Sequence, residues 1–383
     1  MNAFPELRKA LPPFFAWAKD VALPFWATAG VDMARGGFHE RLDLEGRPVL
    51  GAPKRLMVQG RQLYVYCHAA LLGWFPEGRQ LADRCAAYIL DEFYRADGKP
   101  GWVYSLEPDG SIGNPMRDAY AHAFALFGLS WYHRLTGDTQ VVPVIDATVA
   151  YLDDAFAAQN GGYLDAVPPP DAVRRQNPHM HLFEAFIALA EAPGGEYYLA
   201  HATRMFELFA SRFFQPSSGA LCEYMDDALA PLPGAKGRIC EPGHHYEWIW
   251  LLRRYQHLSK RDVASYCAAL YRHADQYGWD EDGFIVDGLD FSGRVIAHSR
   301  RAWPHSEGAK ANIVEGATGR PGCDQKAARC LARLMNTFLG RPIPGGWIDH
   351  VNAASVPMVD FMPASTLYHV FGALTEAHRV TSS

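Results

Sequence analysis

Apolar residues recur along this chain with the period of an α-helix. In residues 196–214, "EYYLAHATRMFELFASRFF", Leu199, Ala202, Phe206, Phe209 and Phe213 advance by 3, 4, 3 and 4 positions. That spacing puts them on one helical face. Residues 174–192, "RRQNPHMHLFEAFIALAEA", are almost continuously apolar from Leu182 onward, yet the first turn carries Asn177, His179 and His181. Between the helical stretches lie short extended pieces with turn residues, such as "LDLEGR" and "LEPDGS". These read as hairpins.

The pattern repeats. A small residue, a glycine and usually an aromatic recur as "GGFHERLD" at Gly37, "GWVYSLEPDG" at Gly101 and "GGYLDAV" at Gly162. They return as "SGALCEYMDD" at Gly219, "DGFIVDGLDFSG" at Gly283 and "GGWIDHV" at Gly346. The intervals are 64, 61, 57, 64 and 63 residues. Each unit has room for two helices, so the spacing predicts six helix pairs. Six pairs can close into an all-α (α/α)6 barrel, with short β-hairpins at one face, as a single domain over residues 1–383. An open solenoid would need polar capping units, and none is visible.

Polar residues interrupt the apolar helices at a similar phase of each unit. Counted from the glycines, Arg61 lies at 24, Tyr120 and His181 at 19, His244 at 25, His305 at 22 and His369 at 23. In equivalent units these side chains converge on one mouth of the ring, where a concave polar site is expected. Asn177 reads as an N-cap followed by Pro178 at the first helical position. Ser365 reads as the cap of the helix carrying His369. His244 and Glu247 stand three apart on one helical face, so the carboxylate can orient the imidazole or bind a hydroxyl. Glu184 reads as packing support. Arg61 sits in an apolar helix, where a charge is costly without a partner. His122, His179, His245 and His305 read as capping or surface histidines.

Composition adds exclusions. The net charge of −6 offers no electrostatic attraction for nucleic acid or an anionic membrane. No apolar run is long enough for a membrane span, and the N-terminus lacks a signal-peptide core. Seven cysteines, none in a CxxC pair, fit reduced thiols in a cytoplasmic protein. His179 and His181 diverge by about 200° around a helix, which keeps them from sharing a metal ion. No HExxH motif is present. No metal or other cofactor is expected.

Histidines and an arginine around an aromatic pocket suit proton transfer on a polar, uncharged substrate. A neutral imidazole is an effective acid or base near neutral pH, and Arg61 can stabilise the negative charge of an enediolate. The motifs "QGRQLY", "DAYAHAF", "NPHMHLFEA", "PGHHYEW", "WPHSE" and "STLYH" together resemble the N-acylglucosamine 2-epimerase superfamily, over about residues 20–375. That group includes cellobiose 2-epimerases, mannose isomerases and sulfoquinovose isomerases. The resemblance implies an (α/α)6 barrel, with His244 and His369 as the acid–base pair and His181 assisting ring opening or proton relay. Arg61, Tyr120, Asn177, Glu247, Trp303 and Glu307 would bind the sugar. Ala302-Trp303 departs from the tryptophan pair frequent in epimerases, and "PASTLYHVFGAL" looks most like mannose isomerases. The pattern shows no lysine–arginine cluster for a phosphate. The expectation is a metal-independent conversion of an unphosphorylated aldose, mannose to fructose, by a monomer or homodimer. A 2-epimerase is the alternative. Other classes are glycoside hydrolysis by Glu247 and Glu307 and non-catalytic sugar binding.

Overall fold

The computed structural model describes residues 4–382. The chain opens with α1 (Pro5–Ala16), a π-helical turn (Trp17–Ala22) and α2 (Leu23–Thr28). Five pairs follow. They are α3 (Leu56–Leu71) with α4 (Gly78–Glu92), α5 (Ala119–Thr136) with α6 (Val142–Ala155), and α7 (Gln176–Ala190) with α8 (Leu199–Leu208). Next come α9 (Pro242–Ser259) with α10 (Ala264–Tyr277) and α11 (Ala302–Ala317) with α12 (Cys323–Arg333). The chain ends in α13 (Thr366–Thr381).

The odd-numbered helices from α3 to α13 form the inner ring. Each contacts the next, and α13 contacts α3. Buried on nearly every face, they read as almost uniformly apolar, whereas the outer helices bury one stripe. The stripe predicted over residues 199–213 is that of an outer helix. Ala202, Phe206, Phe209 and Phe213 are buried, and a π-helical turn (Phe209–Phe213) extends α8. Inner helices approach closely where glycines allow it. A Cβ on Gly60 of α3 would lie 2.2 Å from the Phe124 carbonyl oxygen of α5.

The sixth pair is assembled from the two ends of the chain. α13 lacks a following outer helix, and α1 packs against α13 and α12 in that place. The predicted hairpins are refined in the same sense. Some are local, such as Ser105–Leu106 with Ile112–Asn114. The recurrent pairing, however, joins neighbouring units. The strand ahead of each inner helix pairs antiparallel with the strand after the next unit's glycine: Lys54–Arg55 with Ser105–Leu106, Arg117–Asp118 with Ala166–Val167, Arg174–Arg175 with Tyr224–Met225. The last such pair, Phe361–Pro363 with Arg41–Asp43, closes the ring. A solenoid leaves these edges unpaired. The closed ring is the (α/α)6 barrel.

No helix among the described residues is long and apolar enough to cross a membrane. All seven cysteines are free and buried.

Candidate active site

The residue just before each of the first five inner helices sets a common register: Arg55, Asp118, Arg175, Glu241 and Arg301, with Pro363 in the sixth unit. Residues two and six positions later lie on one helical face, and that face looks into the barrel. The sixth positions are Arg61, Phe124, His181, Glu247, Glu307 and His369. The second positions include Tyr120, Asn177 and Trp303. A cavity of about 250 Å³ at this mouth is lined by Arg61, Tyr120, Asn177, His181, His244, Glu247, Trp303 and His369, together with Glu241 and Arg301.

The fourth position points elsewhere. His122, His179, His245 and His305 are fully buried, so the expectation of surface or capping histidines is corrected. Each Nδ1–H donates to the carbonyl four residues back, at 2.7–2.9 Å. Each Nε2 accepts a backbone N–H from the unit's own glycine loop: Trp102, Tyr163, Leu221 and Ile285, at 3.0–3.2 Å. Gln59 does the same for Phe38, accepting its N–H and donating to its carbonyl. These side chains tie helix to loop. His305 therefore does not join the ring of convergent residues as its phase suggested, and Trp303 holds that place. Burial lowers the proton affinity of all four imidazoles, to about 4 for His122, His179 and His305 and about 3 for His245.

Three further readings change. Asn177 is the second residue of α7 rather than its cap, and its buried Oδ1 has no partner among the described residues. Ser365 precedes α13 without a side-chain cap bond. Glu307 does not line the cavity. It is fully buried behind His369, whose Nδ1 it accepts at 2.8 Å, and Lys310 Nζ contacts its other oxygen at 2.6 Å. A carboxylate placed there cannot flank a scissile glycosidic bond, which removes the hydrolase arrangement.

Each cavity imidazole has its Nδ1 on a carboxylate, leaving Nε2 as the second ring nitrogen. His181 Nδ1 donates to Glu184 at 3.0 Å, and Glu184 also accepts the Tyr368 hydroxyl at 2.5 Å. Glu184 thus orients an imidazole rather than merely packing. His244 Nδ1 lies 3.1 Å from both oxygens of Glu223, not on Glu247. Gln176 fixes Glu223 by donating to it at 2.8 Å, and it accepts the Trp248 indole N–H at 2.8 Å. Arg61 Nη2 donates to the Tyr120 hydroxyl at 2.6 Å, and the guanidinium lies over Phe124. The Trp303 ring sits between His244 and His369, with centroids 5.0 and 5.6 Å away.

Electrostatics separate the histidines. Burial disfavours charge on His244, but Glu223, Glu241 and Glu247 outweigh it and lift its proton affinity to about 10. Burial, Arg61 and Lys310 hold His369 well below its ordinary value. Burial lowers His181 to about 4 despite Glu184. Burial and the neighbouring Glu307 push the proton affinity of Glu247 well up. The surroundings of one cavity thus favour the charged form of His244 and the neutral forms of His181 and His369.

Among the described residues four sets could offer a cation three ligand atoms within 4.8 Å of one another, and three of them include a cavity histidine: His181, Glu184 and Glu247; Glu223, Glu241 and His244; Glu247, Glu307 and His369. In each of these three, a proton on Nδ1 already accounts for the imidazole–carboxylate contact.

The model of the N-acylglucosamine 2-epimerase family matches residues 36–373. The chain belongs to that family. It is a sugar isomerase or epimerase. A relative from Rhizobium meliloti named mannose-6-phosphate isomerase is 33% identical over 94% of both chains. The D-mannose isomerase of Pseudomonas cannabina pv. alisalensis is 26% identical over 92% of this chain and 88% of its own. The solved cellobiose 2-epimerase of Spirochaeta thermophila superposes with a TM-score of 0.87 at 23% identity, covering 99% of this chain and 98% of that one. That likeness carries the barrel fold of the family.

The sequence left Glu241 and Arg301 unnoticed, although both occupy the register position before an inner helix. Lys310 had a signal, a lysine three residues after Glu307 in an apolar helix. Glu223 had none, because it lies in a loop far from His244 in sequence.

Proposed function

We propose that this member of the family interconverts an unphosphorylated aldose and its ketose, D-mannose and D-fructose, through a cis-enediol without a metal ion. The observation that carries the reading is that His369 and His244 line one sugar-sized cavity in opposed surroundings, His244 against the Glu223 carboxylate and His369 against a Glu307 paired with Lys310. With the sugar open, neutral His369 Nε2 takes the proton from C2 while the His244 imidazolium gives one to O1. His369 then returns its proton to C1 as neutral His244 takes one from O2. Both histidines end as they began, and the product is the 2-ketose. Arg61 stabilises developing oxyanion charge. Glu247 and the Asn177 amide hold hydroxyls, Tyr120 and Trp303 form walls, and His181 serves ring opening.

Two alternatives have support. A 2-epimerase would use the same enediol, with a second base reaching the opposite face of C2. A phosphorylated substrate is suggested by the name of the Rhizobium relative and by Arg301 in the lining. Asp287, 3.9 Å from Arg301, and Glu241 in the same lining offset that charge. The test incubates EDTA-treated protein with mannose or mannose 6-phosphate in heavy water. Fructose, carrying deuterium at C1 only as far as the proton on His369 exchanges with solvent before its return, with turnover reduced about 10²–10⁴-fold by His369→Asn, is the expected result. Glucose as sole product would mark an epimerase, and conversion of the phosphate alone would move the substrate assignment. Undiminished turnover in the variant would remove the mechanism.

A further inference from the structure

The barrel has a second mouth. At the C-terminal ends of the inner helices opens a cavity of about 1030 Å³, which shares no lining residue with the site above. Tyr64, Trp131 and Trp250 give it aromatic walls. Two arginines in this lining, Arg134 at the end of α5 and Arg254 on α9, meet on one carboxylate. Arg134 Nη1 lies 3.4 Å from Glu191, and Arg254 Nη2 contacts the same oxygen more closely. Each guanidinium also covers an indole, Arg134 at 4.2 Å from the Trp131 centroid and Arg254 at 4.9 Å from that of Trp250.

One carboxylate cannot neutralise two guanidiniums, so a positive charge remains at the fork. The other acid in the lining, Glu376, already accepts from the Trp250 indole at 3.1 Å and from Arg379 at 3.0 Å. The Trp131 indole N–H is buried and has no partner among the described residues. A buried donor without an acceptor is costly, and an oxyanion supplies one.

The geometry points to a second binding site in this cavity for a small organic monocarboxylate, its oxygens on the Arg134–Arg254 fork and its apolar body between Trp131 and Trp250. A planar carboxylate matches a guanidinium fork. Arg253 in the same lining is held by Glu315 at 2.7 Å, so the surplus charge of the Arg134–Arg254 fork matches a monoanion, and the aromatic walls match an apolar body.

Calorimetric titration of the full-length protein at low ionic strength with 3-phenylpropionate tests this. Saturable binding at one equivalent is expected. It should be at least about tenfold weaker for the neutral 3-phenylpropanamide and for Arg134→Gln, which each remove one side of the ion pair. Trp131→Phe, which keeps the wall and removes the N–H, should weaken binding a few-fold, and His369→Asn should leave it unchanged. Absence of saturation up to about 10 mM, or equal binding of the amide, would overturn the proposal. Loss in His369→Asn would place the ligand in the other mouth. Tighter binding of phenyl phosphate would overturn the choice of a carboxylate. Undisturbed binding in both Arg134→Gln and Trp131→Phe would also sink it.

Discussion

At the scale of single residues, the site works by giving chemically identical side chains different environments. His244 faces Glu223, Glu241 and Glu247, whereas His369 has its carboxylate neutralised by Lys310. The sign of the pH dependence follows. His244 binds its proton more tightly folded than unfolded, so its contribution to stability is full below about 6.5 and is lost as pH rises through about 10. The same proton serves the proposed acid step. Glu223→Gln removes one of the carboxylates that raise it, so the alkaline limb of kcat should move toward neutral pH while activity at low pH changes little. A pH–rate profile reads this directly, and an unmoved alkaline limb would show that Glu223 does not set the charge of His244. The inward residues were legible because a polar side chain in an otherwise apolar helix needs a reason. The carboxylates beneath them were less so. Glu223 meets His244 through tertiary folding alone, and Glu247 drew a role from its helical spacing that the loop residue fills.

At the scale of elements, one device recurs. A histidine or glutamine four residues into an inner helix holds the glycine loop of its own unit and so fixes where the next strand begins. Both imidazole nitrogens are used within the protein, which is why these histidines lie outside the chemistry although they share its helices. Helical phase counted from the glycines blurred them with the site residues, because the loops differ in length. Counted from the residue before each helix, site positions two and six stand half a turn from position four, and His244, at position three, lies between them. His179→Ala should leave the Tyr163 N–H without its acceptor and cost about 1–3 kcal/mol, seen as a lower midpoint in urea. Hydrogen exchange at Tyr163 should quicken while the KM for the sugar stays near its original value. A variant as stable as the parent would show that the loop is held by other contacts. The sixth unit has Leu367 at this position, and there the Trp347 indole instead donates to the Pro363 carbonyl at 3.2 Å.

At the scale of the whole molecule, the glycine spacing made six units legible but could not say how the first meets the last. That depends on contacts between residues more than 300 apart in sequence, which local periodicity does not encode. The structure answers with a seam in which Leu42 pairs with Met362, both fully buried, while α1 supplies the outer partner of α13. In an open solenoid, damage to a terminal unit frays that unit and spares distant ones. In a closed ring the terminal units are each other's neighbours, so loosening the seam loosens every unit. Leu42→Ala removes buried apolar volume at the seam and should cost about 2–5 kcal/mol. The loss should appear as one shifted transition, with far-ultraviolet dichroism, which reports the thirteen α-helices of the described residues together, and the fluorescence of Trp248, well away from the seam in sequence, moving together. A separate early transition confined to the ends of the chain, with Trp248 unaffected, would mean that the units behave as a solenoid held shut and that closure adds little to the stability of the site.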